Sequence, residues 1–168
     1  MIIVFTGNGK GKTSASLGIA LRASGWGKKV AIIQLIKGYK KIGEWKAIQK
    51  ISNIEIFQFL DDKNLSISKP TDQHKISMPK AISKINELVD SGEFQIIILD
   101  EINNAFHFNL LEVNTIIPIL LKHPEIDFIF TGRDAPEELI KMADLVTEMK
   151  EIKHPFQKNT PAKKGIDY

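Results

Sequence analysis

One stretch near the start of the sequence has the composition of a phosphate-binding loop. Its members are Gly7, Asn8, Gly9, Lys10, Gly11, Lys12 and Thr13. Glycines let a backbone approach phosphate oxygens closely, and the amides at the start of a following helix attract anions. In such a loop Lys12 bridges phosphates, while the Thr13 hydroxyl binds Mg²⁺. The pattern therefore predicts a site for the triphosphate of ATP.

The spacing of the glycines separates this interpretation from its alternatives. A dinucleotide fingerprint needs Gly-x-Gly-x-x-Gly, but the third glycine here, Gly11, comes one position early and Lys12 follows it. The phosphate-loop pattern Gly-x-x-x-x-Gly-Lys-[Ser/Thr] fits with one departure, because its first glycine falls where this chain has Thr6. Since the Gly-Lys-Thr end is intact, we expect phosphate binding by a loop that differs in shape from that of common ATPases.

Four charged residues elsewhere suit the same chemistry. Asp100 and Glu101 directly follow an apolar run. The carboxyl ends of parallel strands gather at the ligand-binding edge of a sheet, so one of these acids is expected to hold Mg²⁺ directly or through water. Arg133 follows another apolar run, which favours an anion contact. Arg22 lies nine residues after Thr13, a spacing that fits a surface cation as well as a phosphate contact.

Apolar runs alternate with helical patterns, and these elements must position the charged residues. The predicted strands cover residues 2–5, 30–36, 54–59, 96–99, 126–130 and 145–149. The predicted helices cover residues 13–24, 80–91, 111–122 and 136–143. Strands that are apolar on both faces indicate an α/β fold, with a parallel sheet covered by helices on both faces. Pro118 is expected to kink or break its helix, and the aperiodic residues 61–78 predict a long surface loop.

Composition excludes several classes of function. A chain of 168 residues is long enough for a core of its own, so we predict a single domain over residues 1–168. The sequence contains no cysteine, which excludes disulfides, thiolate metal sites and cysteine nucleophiles. No apolar stretch reaches the roughly 18 residues of a membrane span, and nothing resembles a signal peptide. The expected location is the cytoplasm, with no membrane partner.

The net charge of +3 has a local origin. From residue 150 onward the chain has five lysines against two acids, and the preceding part is balanced. We therefore predict an irregular basic tail over about residues 155–168. A duplex-binding protein needs a broader basic face with side chains that contact base edges, so we expect no nucleic-acid partner.

Matches to one family run through the whole chain. In order, they are residues 5–13, 22–23, 27–30, 34–38, 99–101, 131–133, 143–149, 152–155 and 164–168. With these stretches in this order, the chain closely resembles the P-loop ATP:corrinoid adenosyltransferases, which make adenosylcobalamin. A phosphate loop that begins with Thr6 is itself typical of that family.

The resemblance implies a RecA-type sheet, a homodimer and an unusual use of ATP. In the family a reduced Co(I) corrinoid attacks the 5′ carbon of ATP, and the whole triphosphate leaves. Co(I) is already a strong nucleophile, so the protein supplies in-line positioning and stabilises charge on the leaving group. The resemblance assigns triphosphate contacts to Lys12 and Arg22, and Mg²⁺ (or Mn²⁺) to Thr13 and Glu101. It also implies a reduced flavoprotein as electron donor.

One family feature is missing from the sequence. Family members usually carry a Gly-Phe-Thr-Trp stretch after the third strand, whose aromatic side chains pack on the corrin. The corresponding residues 59–65 include no tryptophan. Phe57, Phe59 and Leu65 are the candidates to replace these contacts, and simple core or loop packing is the other interpretation. Whether the acceptor is cobalamin or a precursor corrinoid stays open.

Two other functions fit a phosphate loop. A small-molecule kinase or ATPase would cleave at phosphorus and would need a base or a water-positioning group near the γ-phosphate. A regulatory protein would bind ATP without corrin chemistry, which the missing aromatic stretch would explain.

Overall fold

Six short strands form one all-parallel sheet in the computed structural model, which describes residues 1–36, 42–60 and 71–167. The strands are β1 (Ile2–Thr6), β2 (Val30–Gln34), β3 (Ile54–Gln58), β4 (Ile96–Asp100), β5 (Asp127–Thr131) and β6 (Leu145–Glu148). Their order across the sheet is β3-β2-β4-β5-β1-β6. Every pair of neighbours is parallel. The predicted α/β class and the predicted positions of these strands are confirmed.

Helices connect the strands. In the described part of the chain they are α1 (Lys12–Gly25), α2 (Gly43–Ile48), α3 (Asp72–Asp90), α4 (Ile102–His107), α5 (Ile117–Lys122) and α6 (Glu137–Met142). Short 3₁₀ turns cover Val113–Thr115 and Pro155–Lys158. The sequence did not predict α2 and α4, because a helix of six residues is too short to establish a 3.6-residue period.

Two predictions about these elements are wrong in detail. The helix expected over residues 111–122, with a kink or break at Pro118, is divided into a 3₁₀ turn and α5, and Pro118 lies in the first turn of α5. Proline is tolerated there because the first helical amides have no partner within the helix. Helix α3 begins at Asp72, so the loop expected over residues 61–78 is wrong for its last seven residues. Residues 61–70, with the predicted corrin contact Leu65, lie outside the described residues, as do residues 37–38 and Tyr168.

The four inner strands of the sheet are largely buried on both faces, as their apolar sequences predicted, whereas the edge strand β6 is exposed along its length. One face packs against α1 and α2 through a cluster that includes Ile32, Ile98 and Ile129, together with Ala20 of α1. The other face packs against α3, α4, α5 and α6 in a larger cluster. Because β-strand side chains alternate between faces, consecutive residues of β4 fill opposite cores. This packing fixes the sheet, and with it the edge where the strands end.

Helix α3 begins with a capping box built on a buried histidine. The backbone N–H of Thr71 donates to His74 Nδ1 at 3.0 Å, and the Thr71 side chain accepts from the backbone of His74. His74 is only 1% exposed, and burial lowers its pKa. The contact requires an unprotonated Nδ1, so the neutral imidazole is the form that stabilises the start of α3.

This arrangement predicts a pH-dependent contribution to stability. The folded pKa of His74 lies below its unfolded value of about 6.5, so stability is fully present above that pH and is lost as the pH falls below it. His74→Gln keeps an acceptor at the same helix position but cannot take up a proton. Urea unfolding should therefore show a smaller loss of stability for His74→Gln than for the unaltered chain between about pH 7.5 and about pH 5.5. His74→Ala, which has no acceptor, should be less stable at both values, and equal pH dependence of all three chains would contradict the account.

Candidate functional site

A buried carboxylate lies at the centre of the sheet's carboxyl edge. Asp100, the last residue of β4, is 1% exposed. Its Oδ1 accepts hydrogen bonds from the hydroxyls of Thr13 at 2.8 Å and Thr131 at 2.7 Å. Its Oδ2 accepts from Gln34 Nε2 at 3.2 Å. A buried carboxylate must be compensated by donors, and these bonds join the phosphate loop to the ends of three strands.

The network continues outward from Asp100 on both sides. Gln58, at the end of β3, donates from Nε2 to Gln34 Oε1 at 2.7 Å. On the other side the backbone N–H of Glu101 donates to Thr131 Oγ1 at 2.9 Å. The sequence analysis named Asp100 only as one of two possible metal acids and missed the roles of Gln34 and Thr131. The sequence did contain a hint of the role of Gln34, because it is the one polar residue in the otherwise apolar strand predicted over residues 30–36.

The phosphate loop connects β1 to α1 and folds around its own lysine. Gly11 adopts a left-handed conformation with φ 111°, and the helix begins at Lys12. The Lys12 ammonium donates to the carbonyl oxygens of Gly7 at 2.6 Å and Gly9 at 2.7 Å. Thr6, the unusual first residue, accepts at Oγ1 from the backbone N–H of Ala135 at 3.2 Å. The hydroxyl thus ties the loop to the segment after β5, which a glycine at that position could not do.

Two loop glycines are required by close packing against the end of β6. A Cβ on Gly7 would lie 2.6 Å from the Met149 carbonyl oxygen, and one on Gly9 would lie 2.7 Å from the same atom. The backbone N–H of Gly9 also donates to that oxygen at 2.6 Å. The loop is therefore held on one side by Asp100 and on the other by the backbone after β6.

Glu101 and Arg133 are brought together by Asn104 of α4. Asn104 Nδ2 donates to Glu101 Oε2, and Asn104 Oδ1 accepts from the backbone N–H of Arg133 at 2.6 Å. Gly132, with φ 130°, leaves no room for a Cβ, which would lie 2.9 Å from atoms of Asn103 and Asn104. The sequence analysis missed Asn104, because only the fold places α4 beside the end of β5.

A cavity of about 990 Å³ opens in front of these groups. Of the residues predicted to bind ATP, those that line it are Asn8, Gly9, Lys10, Gly11, Lys12, Thr13, Glu101 and Arg133. Gly7 lies behind them and contributes the carbonyl that Lys12 contacts. The lining also includes Phe108 at the end of α4, and Glu151 and His154 after β6. A cavity of this size and position fits a nucleotide, with its phosphates at the start of α1.

Arg22 is not among the described residues that line this cavity. It lies in the last turn of α1 and is exposed. Helix α1 rises about 1.5 Å per residue, so Arg22 is about 13 Å farther along the helix axis than Thr13. Its contact with the triphosphate stays a prediction, and the structure does not bring it to the loop of the same chain.

The two described candidates for corrin binding lie at the end of β3 and just after it. Phe57 and Phe59 are partly buried and pack against the larger core cluster. The Lys84 ammonium lies 4.6 Å from the centre of the Phe57 ring. Neither residue is among the described residues that line the cavity, so their role in corrin binding stays a prediction.

The side chains around Thr13 fit a hard cation. The Thr13 hydroxyl and the carboxylates of Asp100 and Glu101 supply oxygen atoms, which Mg²⁺ prefers over nitrogen or sulfur. Within residues 1–36, 42–60 and 71–167, no group of three or more His, Cys, Asp and Glu side chains could hold a metal ion on its own. Mg²⁺ is commonly held by one or two carboxylates together with substrate phosphates, and this donor set is consistent with that arrangement.

None of the helices in the described part of the chain is both long and apolar enough to cross a membrane.

Comparison with known proteins identifies relatives over the full length of the chain. The family model described as ATP:corrinoid adenosyltransferase BtuR/CobO/CobP matches residues 1–168. A corrinoid adenosyltransferase of Sinorhizobium sp. is 34% identical over 171 residues, which cover 100% of this chain and 80% of the relative. The corrinoid adenosyltransferase of Escherichia coli K12 is 31% identical over 169 residues, which cover 100% of this chain and 85% of the relative.

Solved structures share the fold at lower identity. A KaiC-like protein from Pyrococcus horikoshii matches with a TM-score of 0.55 and 17% identity, over 90% of this chain and 73% of that protein. The cytoplasmic domain of EssC matches with a TM-score of 0.55 and 15% identity, over 99% of this chain and 34% of that protein. The predicted RecA-type P-loop fold is confirmed.

The packing of the loop glycines can be tested with a matched pair of substitutions. Gly9→Ala forces a Cβ against the Met149 carbonyl, so we expect a loss of about 1–3 kcal/mol of stability and weaker ATP binding. Gly18→Ala is the control, because a Cβ there meets nothing within 4 Å and α1 gains about 1 kcal/mol of helix propensity. Thermal unfolding and ATP titration measure both effects. Equal behaviour of the two variants would show that the contact with Met149 does not shape the loop.

Proposed function

Because this chain belongs to the ATP:corrinoid adenosyltransferase family, we propose that it transfers the 5′-deoxyadenosyl group of ATP to the Co(I) centre of a corrinoid. The observation that carries the proposal is the match over residues 1–168, whose phosphate loop and Asp100-Glu101 pair meet at one edge of the sheet. The family match does not favour the alternative of a kinase or ATPase that cleaves at phosphorus.

The reaction is a substitution at carbon. The electron pair of Co(I) forms a bond to C5′ of ATP, and the C5′–O bond breaks. Its electron pair leaves with the oxygen, so that tripolyphosphate departs whole and the cobalt is formally oxidised to Co(III). This chemistry needs no protein base, because the nucleophile carries no proton to remove. The protein's contribution is to align cobalt, C5′ and the leaving oxygen, and to stabilise the charge on that oxygen.

The phosphate loop supplies that stabilisation. Lys12 donates to the carbonyls of Gly7 and Gly9, and phosphate oxygens would replace these acceptors when ATP binds. The amides at the start of α1 and the Arg133 side chain at the cavity wall add positive potential. The loop itself is held by Asp100 and by the Met149 carbonyl before ATP arrives, which limits the reorganisation needed in the transition state.

We assign Mg²⁺ (or Mn²⁺) to the Thr13 hydroxyl and the Glu101 carboxylate. Glu101 lines the cavity and is oriented by Asn104, whereas Asp100 is buried and orients Thr13. When bound, the cation neutralises part of the triphosphate charge. In this proposal Asp100 positions Thr13, and Glu101 binds the cation.

The remaining parts of the proposal rest on the family resemblance. They are a homodimer and a reduced flavoprotein that delivers the electron to cobalt. A cytoplasmic location, expected from the sequence, stays a proposal. Phe57, Phe59 and Leu65 remain the proposed corrin contacts, and the particular corrinoid stays open. The whole chain is proposed to act as a single domain.

Arg22 fits the proposal as a contact made across the homodimer. Helix α1 carries it away from the phosphate loop of its own chain, and its neighbours Leu21 and Trp26 are 61% and 84% exposed. If these two apolar side chains belong to one contiguous patch, that patch would suit a surface that meets another protein. A dimer in which this end of α1 meets the partner's phosphate loop would bring Arg22 to the partner's triphosphate.

The activity is tested by mixing the chain with ATP, Mg²⁺ and chemically reduced cobalamin. We expect loss of the Co(I) spectrum, with adenosylcobalamin and tripolyphosphate as products. Lys12→Ala should lower turnover at least about 100-fold, because it removes a donor to the leaving group. Lys141→Ala is the control, since Lys141 is exposed on α6 and pairs only with Glu137 among the contacts described. Near-normal turnover by a folded Lys12→Ala chain would contradict the proposed role of Lys12 in stabilising the leaving triphosphate.

The placement of Arg22 is tested by subunit mixing. A chain with Arg22→Ala and a chain with Lys12→Ala should each be nearly inactive alone. If Arg22 acts on the partner's triphosphate, each mixed dimer contains one intact site, and the mixture should recover about a quarter of the unaltered activity. If Arg22 acts within its own chain, every site in the mixture carries a lesion and no activity returns. That second result would contradict the cross-dimer contact.

A further inference from the structure

The segment after β6 folds back over the phosphate loop. Of its residues, those that line the nucleotide cavity are Glu151, His154, Gln157, Gly165, Ile166 and Asp167. The backbone of Met149 already holds Gly9 at the start of this segment. The loop thus lies between the end of β6 and the far end of the same segment, at Asp167.

An ion pair joins Asp167 to the loop. The Asp167 carboxylate pairs through Oδ1 with the ammonium of Lys10. Its other oxygen, Oδ2, accepts from the backbone N–H of Lys163 at 2.6 Å, and the Asp167 N–H donates to the Lys163 carbonyl at 2.8 Å. The side chain of Asp167 is 24% exposed and that of Lys10 is 45% exposed. The carboxylate is therefore held by a turn of its own backbone, in a position that faces the loop.

This pair sets up a conflict with the proposed ligand. Lys10 is a cation of the phosphate loop, and it is one of the residues that line the cavity that would hold the triphosphate. An ammonium that contacts Asp167 is partly neutralised, and a triphosphate beside Asp167 would be repelled by its negative charge. The carboxylate and the phosphate oxygens are thus alternative partners for one ammonium.

We propose that Asp167 is an internal anion that holds Lys10 when no triphosphate is bound and releases it when ATP enters. When tripolyphosphate leaves after transfer, Asp167 takes Lys10 back, which favours release of that highly charged product. The inference rests on the proposed function, since it takes the triphosphate as the competing anion. It adds a role for the segment after β6 in the exchange of the nucleotide and its product.

A second acid of the segment provides a matched control. Glu151 also lines the cavity, but among the described contacts it accepts from Gln157 Nε2 at 3.2 Å instead of pairing with the loop. Glu151→Gln removes a negative charge from the cavity and leaves Lys10 with Asp167. Asp167→Asn removes a charge as well, keeps an oxygen for the Lys163 N–H, and frees Lys10.

The experiment measures binding of inorganic tripolyphosphate, with Mg²⁺, to the full chain by calorimetry. Asp167→Asn should bind it about two- to fivefold tighter than the unaltered chain, the range expected for an exposed ion pair. In a chain that also carries Lys10→Met, Asp167→Asn should increase the affinity for tripolyphosphate much less. Any change in affinity caused by Glu151→Gln should be the same with and without Lys10. The gain should also shrink as salt is raised, because the competing contacts are exposed.

The inference is overturned if Asp167→Asn binds tripolyphosphate no more tightly, or if its gain is the same with and without Lys10. Lys12→Ala separates this failure from a failure of the proposed function. If Lys12→Ala binds tripolyphosphate as well as the unaltered chain, the proposed binding of the triphosphate by the phosphate loop is rejected. If Lys12→Ala loses binding and Asp167→Asn gains nothing, only the role of Asp167 is rejected.

Discussion

The structure depends on the compensation of one buried charge. The Asp100 carboxylate lies at the end of a strand whose side chains fill both cores, and it accepts hydrogen bonds from Thr13, Thr131 and Gln34. If any of these donors moved away, a buried anion would lose part of its compensation, at a cost of about 1–3 kcal/mol or more. The need to satisfy Asp100 therefore fixes the start of α1 against the sheet and gives the phosphate loop a defined position before any ligand binds.

A loop held in this way suits chemistry in which the leaving group carries the charge. Lys12 and the amides of the loop need no reorganisation when the triphosphate begins to depart, which is the condition under which electrostatic stabilisation is most effective. The nucleophile is a reduced metal centre with no proton to lose. The carboxylates therefore need not act as bases, and the structure uses them to hold the loop and, in our proposal, the cation.

The sequence predicted the features that depend on local pattern. The residues of the Gly-Lys-Thr loop are contiguous in the sequence, and each strand can be recognised from an apolar run of about five residues. By contrast, the roles of Gln34 and Thr131 depend on β2 and β5 flanking β4, a pairing that no local pattern encodes. The contacts of Thr6 with Ala135 and of Lys10 with Asp167 join residues that are far apart in the sequence. From the sequence alone, Thr6 was a departure from the common phosphate-loop pattern and the tail was predicted to be irregular. Neither contact could be predicted, because both exist only after the sheet has formed.

The central claim is that the loop cradles a leaving group, so the most direct measurement asks which bond of ATP breaks. ATP labelled with ¹⁸O at the bridge between C5′ and the α-phosphorus can be turned over with reduced cobalamin, and the products analysed by mass spectrometry. We predict that the label leaves entirely in tripolyphosphate, because cleavage occurs between C5′ and oxygen. Label that stays on a nucleoside phosphate, with phosphate or pyrophosphate released, would show cleavage at phosphorus and contradict it.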